Sequence, residues 1–188
     1  MKPKQKPEKL ETLKTISLKV EDYLAVKGLL HCINMKINLS RPSINLIFYN
    51  PKRDEFVATD GHIMRVQKVE WPNPDKKPKR GFFIRVADFL HTASSLKLAE
   101  LYTTTDIPIH YLPDDYPNYP ALLRKREDSA PVSEFSFDLD LIVRFRKSFP
   151  GEAPVVIFRP GKTNIQGFQI YRGNEFLGII MPVKIKDD

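Results

Sequence analysis

The chain has 188 residues, enough for one domain or one and a half with a real buried core, and its 41% hydrophobic and 28% charged content predicts that most of it folds. A formal charge of +7 and a pI near 9.4 favour an acidic partner, nucleic acid first and an anionic membrane surface second. The single Cys32 excludes an internal disulfide framework, no apolar run approaches the roughly 18–20 residues of a membrane span, and the first residues lack the apolar core of a signal peptide, so the sequence reads as soluble and cytoplasmic.

Residues 1–14, "MKPKQKPEKLETLK", carry five Lys against two Glu and read as a flexible basic tail, leaving the folded body nearer +4. A short strand, "TISLK", leads into "VEDYLAVKGLLHCIN", a helix whose Val20, Tyr23, Leu24, Ala25 and Leu30 line one face. Two strand-like stretches follow, "SINLIFYN" and "EFVATDGHIMRVQKVE". In the second, Asp60-Gly61 predicts a hairpin, because Gly61 accepts the positive φ of a two-residue turn. Residues 70–80, with three Pro and four basic residues, read as a solvated connector. Then come "GFFIRV", a short helix "ADFLHTASSLK", and the strands "AELYTTT" and "IPIHYL". A second connector, 124–134, is dense in charge. The chain continues with "EFSF", a helix "DLDLIVRFRKSF" in which Leu141, Ile142, Phe145 and Phe149 fall at helical spacing, and the strands "APVVIFRP", "IQGFQIYRG" and "FLGIIMPVKI".

A strand–helix–strand–strand unit thus appears three times. An acid and an apolar pair open each helix: Asp22-Tyr23-Leu24, Asp88-Phe89-Leu90 and Asp140-Leu141-Ile142. A period of roughly 50–65 residues indicates duplicated supersecondary units, and helices on one face of antiparallel strands make an α+β layer.

No Gly-rich phosphate loop occurs, and the four His are scattered without metal-binding spacing. Asp60 and His62 could form an acid–base pair or ligate a metal, but side chains flanking a tight turn usually diverge. Neither a cofactor nor a metal is expected. The basic residues carry a different signal. Lys27, His31 and Asn34 lie at i, i+4 and i+7 on the first helix, largely opposite its apolar stripe. Arg144 and Lys147, flanked by Arg146, lie on the third. The plain reading is two solvated faces, and the functional one is a surface for duplex phosphates. Aromatics do not interleave with these cations, which argues against stacking on single strands.

Three stretches in order, "FVATDGHIMRV", "DDYPNYPALLRK" and "FLGIIMPVKI", resemble the bacterial sliding clamp, the β subunit of DNA polymerase III. The first is similar to its A-T-D-G-H turn, the second to its F-P-D-Y segment and the third to its C-terminal strand ending in V-M-P. "SEFSFDLDLIVRFRKSF" resembles the opening of its last half-domain. The resemblance implies sliding-clamp βαββ(β) repeats: a clamp-like domain of two units over 15–126 and a third half-domain over 127–188. It implies no catalytic site, and a pocket for short peptide motifs of replication or repair proteins, formed by Thr59, Gly61, His62, Met64, Pro117, Ala121, Leu122, Ile179, Met181, Pro182 and Val183. It also implies non-specific duplex DNA binding at the nucleoid through Lys27, His31, Arg144, Arg146 and Lys147. Self-association through strand edges of 135–188 would then be needed for a ring, four chains supplying the family's twelve units.

The chain departs from the family pattern at Ile63, where an Arg is usual, at "PALL" in place of an Arg-rich run, in continuing to Asp188 beyond the M-P strand, and in holding three units. Three readings follow: a DNA clamp or processivity factor, a clamp-like interaction module that encircles nothing, and an enzyme built on Asp60 and His62.

Overall fold

Ile16 and Leu18 point inward and Thr15 and Ser17 outward, the alternation of a half-buried strand, and Lys14–Lys19 forms β1. The structure, a computed structural model, describes residues 14–33, 42–89, 104–112, 116–122, 136–152, 154–161 and 166–183. The chain passes from β1 directly into helix α1 (Val20–Gly28), with Glu21 and Asp22 in its first turn and Lys27 in its last, as the helix dipole favours. It then tightens into a 3₁₀ turn, Leu29–Cys32. The change of pitch selects a different buried face from the expected one. Tyr23, Val26 and Leu29 are fully buried, whereas Leu24 is 42% exposed, so of the stripe Val20, Tyr23, Leu24, Ala25 and Leu30 only Tyr23 belongs to the deepest core.

A 3₁₀ turn, Pro42–Asn45, replaces the first half of the strand expected at "SINLIFYN". Strands β2 (Ile47–Asn50), β3 (Glu55–Thr59) and β4 (Ile63–Lys68) then form a meander. Residues 70–80 are not a free connector. The Trp71 indole N–H donates to the Tyr49 hydroxyl at 2.9 Å, Lys77 pairs with Asp54 at 2.7 Å, and Asn73 caps the 3₁₀ turn Pro74–Lys76. Strand β5 (Phe82–Ile84) precedes a helical turn over 86–89. Asp88 reaches back to the Arg85 backbone N–H at 3.0 Å, in the manner of a capping box. The rest of the helix expected at "ADFLHTASSLK" lies outside the described residues, as do the basic tail up to residue 13, the whole of connector 124–134 and residues 184–188. The stretches "AELYTTT" and "IPIHYL" contribute to one strand, β6 (Thr104–Ile109).

In the third unit, Asp138 caps helix α2 (Leu139–Lys147) by accepting the Asp140 N–H at 2.8 Å. Leu141 and Phe145 are buried, and Ile142 and Phe149 pack at the margin, as the spacing predicts. Strands β7 (Ile157–Arg159), β8 (Phe168–Arg172) and β9 (Glu175–Ile180) follow. At "EFSF" the described residues show no strand; the Ser136 carbonyl accepts the Val183 N–H at 2.8 Å.

Every strand pair is antiparallel. β1 pairs with β6, and seven strands form a second sheet in the order β5-β2-β3-β4-β9-β8-β7. A bridge between Phe83 and His110 joins the two sheets. The fold is α+β, with α1 and α2 on one face of the large sheet over the main core and a second apolar cluster on the opposite face. That second cluster holds Val57, Met64, Val66, Phe83, Tyr116, Tyr119 and Ile179, and takes nothing from either helix.

The decisive pairing joins β4 to β9: Ile63 to Ile180, Met64 to Ile179 and Arg65 to Gly178. The large sheet therefore crosses the boundary expected at residue 126. Arg65 faces the helices, its guanidinium 4.0 Å from the Phe149 ring centre, and burial pulls its pKa down to about 10. Gly178 permits this approach, because a Cβ there would collide with the Met64 carbonyl and the Phe145 ring. Gly178→Ala should therefore cost about 1–3 kcal/mol by overpacking, read as a lower urea midpoint with little change in slope. Wild-type stability in that variant would mean that β4 and β9 do not pair this closely in solution.

Candidate functional site

The site grows from the turn between β3 and β4. Its central residues are Gly61 and His62, a correction to the expected Asp60-Gly61 centre: the Asp60 N–H donates to the Ile63 carbonyl at 3.3 Å, and Gly61 has φ +93° at the first central position. The Asp60 side chain supplies the acceptor that a backbone carbonyl would normally give. Its Oδ1 takes the N–H groups of His62 at 2.9 Å and Ile63 at 3.0 Å. Thr59 completes the lock, donating to the Ile63 carbonyl at 2.8 Å and accepting the Gly61 N–H at 3.0 Å. Thr59 and Asp60 thus shape the turn, and His62 stands exposed at its tip.

The other Asp60 oxygen lies 2.7 Å from Arg144 Nη2 on α2, an ion pair whose angle falls short of an aligned hydrogen bond. The Asp60 side chain is 1% exposed and that of Arg144 25%. Arg144 Nε also donates to the His31 carbonyl at 3.0 Å. Three distant stretches of chain therefore meet at one guanidinium, close to where the end of α1 at Gly28 abuts the end of α2 at Ser148. Arg144 does not belong to an outward phosphate-reading face, because its charge is already committed inside. His31, Arg146 and Lys147 remain exposed and Lys27 is half-buried. Partial burial, with Lys147 and Arg144 close by, holds the His31 imidazole below its ordinary pKa.

On the opposite face of the sheet, residues 116–122 lie across the strands as a strap. Tyr119 is its anchor. The phenol donates to the buried Glu55 carboxylate at 2.9 Å and accepts from Asn50 at 2.8 Å. Burial, then Glu55, raises its pKa, so the phenol stays a donor. The Tyr116 ring stacks on Phe48 at 4.8 Å, and at the far end Gln169 of β8 donates to the Leu122 carbonyl at 2.8 Å.

Between strap and turn lies an apolar cavity of about 170 Å³ lined by Ile44, Thr59, Gly61, His62, Ile63, Met64, Tyr116, Pro117, Tyr119, Leu122, Ile179 and Met181. Of the eleven positions implied by resemblance, Thr59, Gly61, His62, Met64, Pro117, Leu122, Ile179 and Met181 line it, and Ala121, Pro182 and Val183 do not. Ala121 sits in the exposed outer turn of the strap. Beyond β9 the Met181 N–H is held by the His62 carbonyl at 2.8 Å and the Val183 N–H by the Ser136 carbonyl, which carries Pro182 and Val183 past the cavity. Sequence reasoning missed Ile44, Ile63, Tyr116 and Tyr119. The two tyrosines flank Pro117 in the same quoted segment, whereas nothing in the sequence marks Ile44. No cluster of three or more metal-ligating side chains occurs among the described residues, and no helix among them is long and apolar enough to cross a membrane.

No protein-family model matches this chain, and no curated protein sequence does. Solved structures do. The DNA polymerase III β chain of Streptococcus pneumoniae is 12% identical with a TM-score of 0.61, covering 98% of this chain and 68% of that one. The β subunit of Thermotoga maritima is 11% identical with a TM-score of 0.60, covering 98% and 69%. The Helicobacter pylori β clamp, solved with a DNA ligase peptide bound, is 8% identical with a TM-score of 0.57, covering 97% and 68%. The chain has the sliding-clamp fold and spans about two-thirds of the length of these clamps.

Removing Arg144 should strand a buried carboxylate. Arg144→Met should cost about 3–5 kcal/mol. Adding Asp60→Asn, which keeps the acceptor oxygen of the turn, should recover part of that loss in urea melts. A double variant as unstable as Arg144→Met alone would remove the ion pair as the cause.

Proposed function

We propose that the chain is a clamp-like, non-catalytic binding protein of the cytoplasm, working at the nucleoid. It captures short apolar peptide segments of replication or repair proteins in the cavity beside Gly61, His62 and Met181. It holds duplex DNA without sequence readout on the cationic surface where α1 and α2 meet. One observation carries the reading: the β4–β9 pairing brings the turn, the strap and Met181 around a single apolar cavity open at the surface. Apolar walls with a few polar groups suit a peptide groove, and Met64 and Met181 supply adaptable ones. The DNA ligase peptide on the Helicobacter pylori clamp supports a peptide as occupant.

A second reading keeps the peptide site and drops the ring, making the chain an adaptor or a competitor for clamp-binding motifs. The inward commitment of Arg144 favours it, since fewer cations remain for phosphates. Self-association is the feature that divides the two. β7 ends the large sheet, and around it Val155 is 94% and Ile157 50% exposed, an apolar edge suited to a second copy. A mass of 21.8 kDa by light scattering at every concentration would exclude the ring and leave the adaptor.

Titration with the labelled DNA ligase peptide should give saturable binding that Met181→Lys weakens at least about tenfold, and no binding would overturn the peptide site. For DNA, the affinity for a random duplex should fall steeply with salt, and the triple reversal of Lys27, Arg146 and Lys147 to Glu should abolish it. Partial burial and the neighbouring cations hold the His31 pKa below its ordinary value, so acidification is what adds charge to the imidazole. Duplex binding should therefore strengthen as pH falls from about 7.5 to 5.5, the range in which histidine titrates, and His31→Asn should flatten that rise. An equal rise in both proteins would take His31 out of the interface.

A further inference from the structure

A second concavity lies across the strap from the first. It is larger, about 610 Å³, with Phe48, Phe83 and Leu112 among its walls and Lys52 and Arg80 at its rim. Tyr116, Pro117 and Tyr119 line both cavities, so only the strap separates them. A single chain segment is about 5 Å wide, which two extended residues bridge.

The rim has unspent charge. Lys52 and Arg80 are exposed and neither forms an ion pair among the described residues; the Arg80 guanidinium rests 4.9 Å from the Tyr111 ring centre. Among the described residues the nearby acids are taken: Glu55 by Arg53 and Tyr119, and Asp54 by Lys77 and Tyr49. An apolar floor beneath two free cations suits an acidic side chain with an aromatic or long aliphatic neighbour. Single-stranded nucleic acid fits less well, because stacking of bases requires an open ring face. Phe48 and Tyr116 are stacked on each other at 14° between planes, and Phe83 leans on both.

We propose that this cleft is a second subsite for the captured partner. It takes an acidic residue, with an aromatic or long aliphatic residue beside it, from the segment that flanks the pocket-binding motif. The proposal rests on the reading that the first cavity holds partner peptides, and it makes recognition bipartite: an apolar anchor on one side of the strap, a charged flank on the other. The flank adds discrimination that a small apolar cavity lacks.

The test uses the full chain and three labelled peptides: the DNA ligase peptide alone, and the same peptide extended at its N- or C-terminus by Gly-Glu-Phe-Glu. One extended peptide should bind about tenfold tighter than the parent, a gain of 1.4 kcal/mol. The double variant Lys52→Glu and Arg80→Glu should erase that gain and leave the parent affinity unchanged, which also reports an intact fold. Absence of a gain in either extended peptide, or a gain that survives the charge reversal, would overturn the subsite while the first pocket stands. Failure of all three peptides to bind would overturn the pocket reading and the subsite with it. A single-stranded oligonucleotide that displaces the extended peptide only while Lys52 and Arg80 are present would make the cleft a nucleic-acid site and overturn the proposal.

Discussion

One buried charge pair organises this molecule. Asp60 holds the turn with one carboxylate oxygen and faces Arg144 with the other, so the shape of a surface loop is tied to a helix more than eighty residues away. Arg144 in turn grips the carbonyl of His31 at the end of the first unit. A pair this buried adds little net stability, since desolvation offsets most of the attraction. Its effect is on which arrangement is allowed. Any packing of α2 that separates the guanidinium from Asp60 leaves a bare carboxylate in the core and frees the two turn N–H groups from a fixed acceptor. The third unit is thereby held in one register against the first.

That register lets one sheet serve two faces. Along β4, Ile63 and Arg65 lie toward the helices, and Met64 and Val66 toward the strap. A slip of one residue against β9 would exchange those sets, driving Arg65 into the cavity and Met64 under α2. Gly178 sits opposite Arg65 at the point where β9 comes closest, so the register is also fixed by sterics. The apolar cavity thus results from correct pairing between units one and three. The strap closes it, held at its middle by Tyr119 on Glu55 and at its far end by Gln169 on Leu122.

Most of the element order was legible, because each strand carries period-two alternation or a short apolar run and α2 has a 3.6-residue period with an Asp138 cap. The pocket was legible through the three quoted motifs, and eight of its eleven implied positions line the cavity. What failed did so for local reasons. The face of α1 was misread because the helix gives way to a 3₁₀ turn at Leu29, which periodicity does not reveal. Residues 70–80 look like a solvated linker by composition, but one tryptophan, Trp71, finds the Tyr49 hydroxyl and pins them. Arg144 has the spacing of a surface cation, and only the fold reveals the buried acid that draws it inward.

The inward turn of Arg144 also ties the helix surface to the cavity, a link that the sequence does not display. The helix face presents one cation fewer to solvent, because this chain commits Arg144 to the turn beside the cavity. The cavity itself has apolar walls, and its strap is anchored through Tyr119 on the buried Glu55 carboxylate and on Asn50. Loss of Arg144 would leave Asp60 without its partner and so disturb the turn beside the cavity. The dependence runs in one direction, from the ion pair to the turn and from the turn to the cavity. The cavity therefore depends on the same buried pair that fixes how the third unit packs.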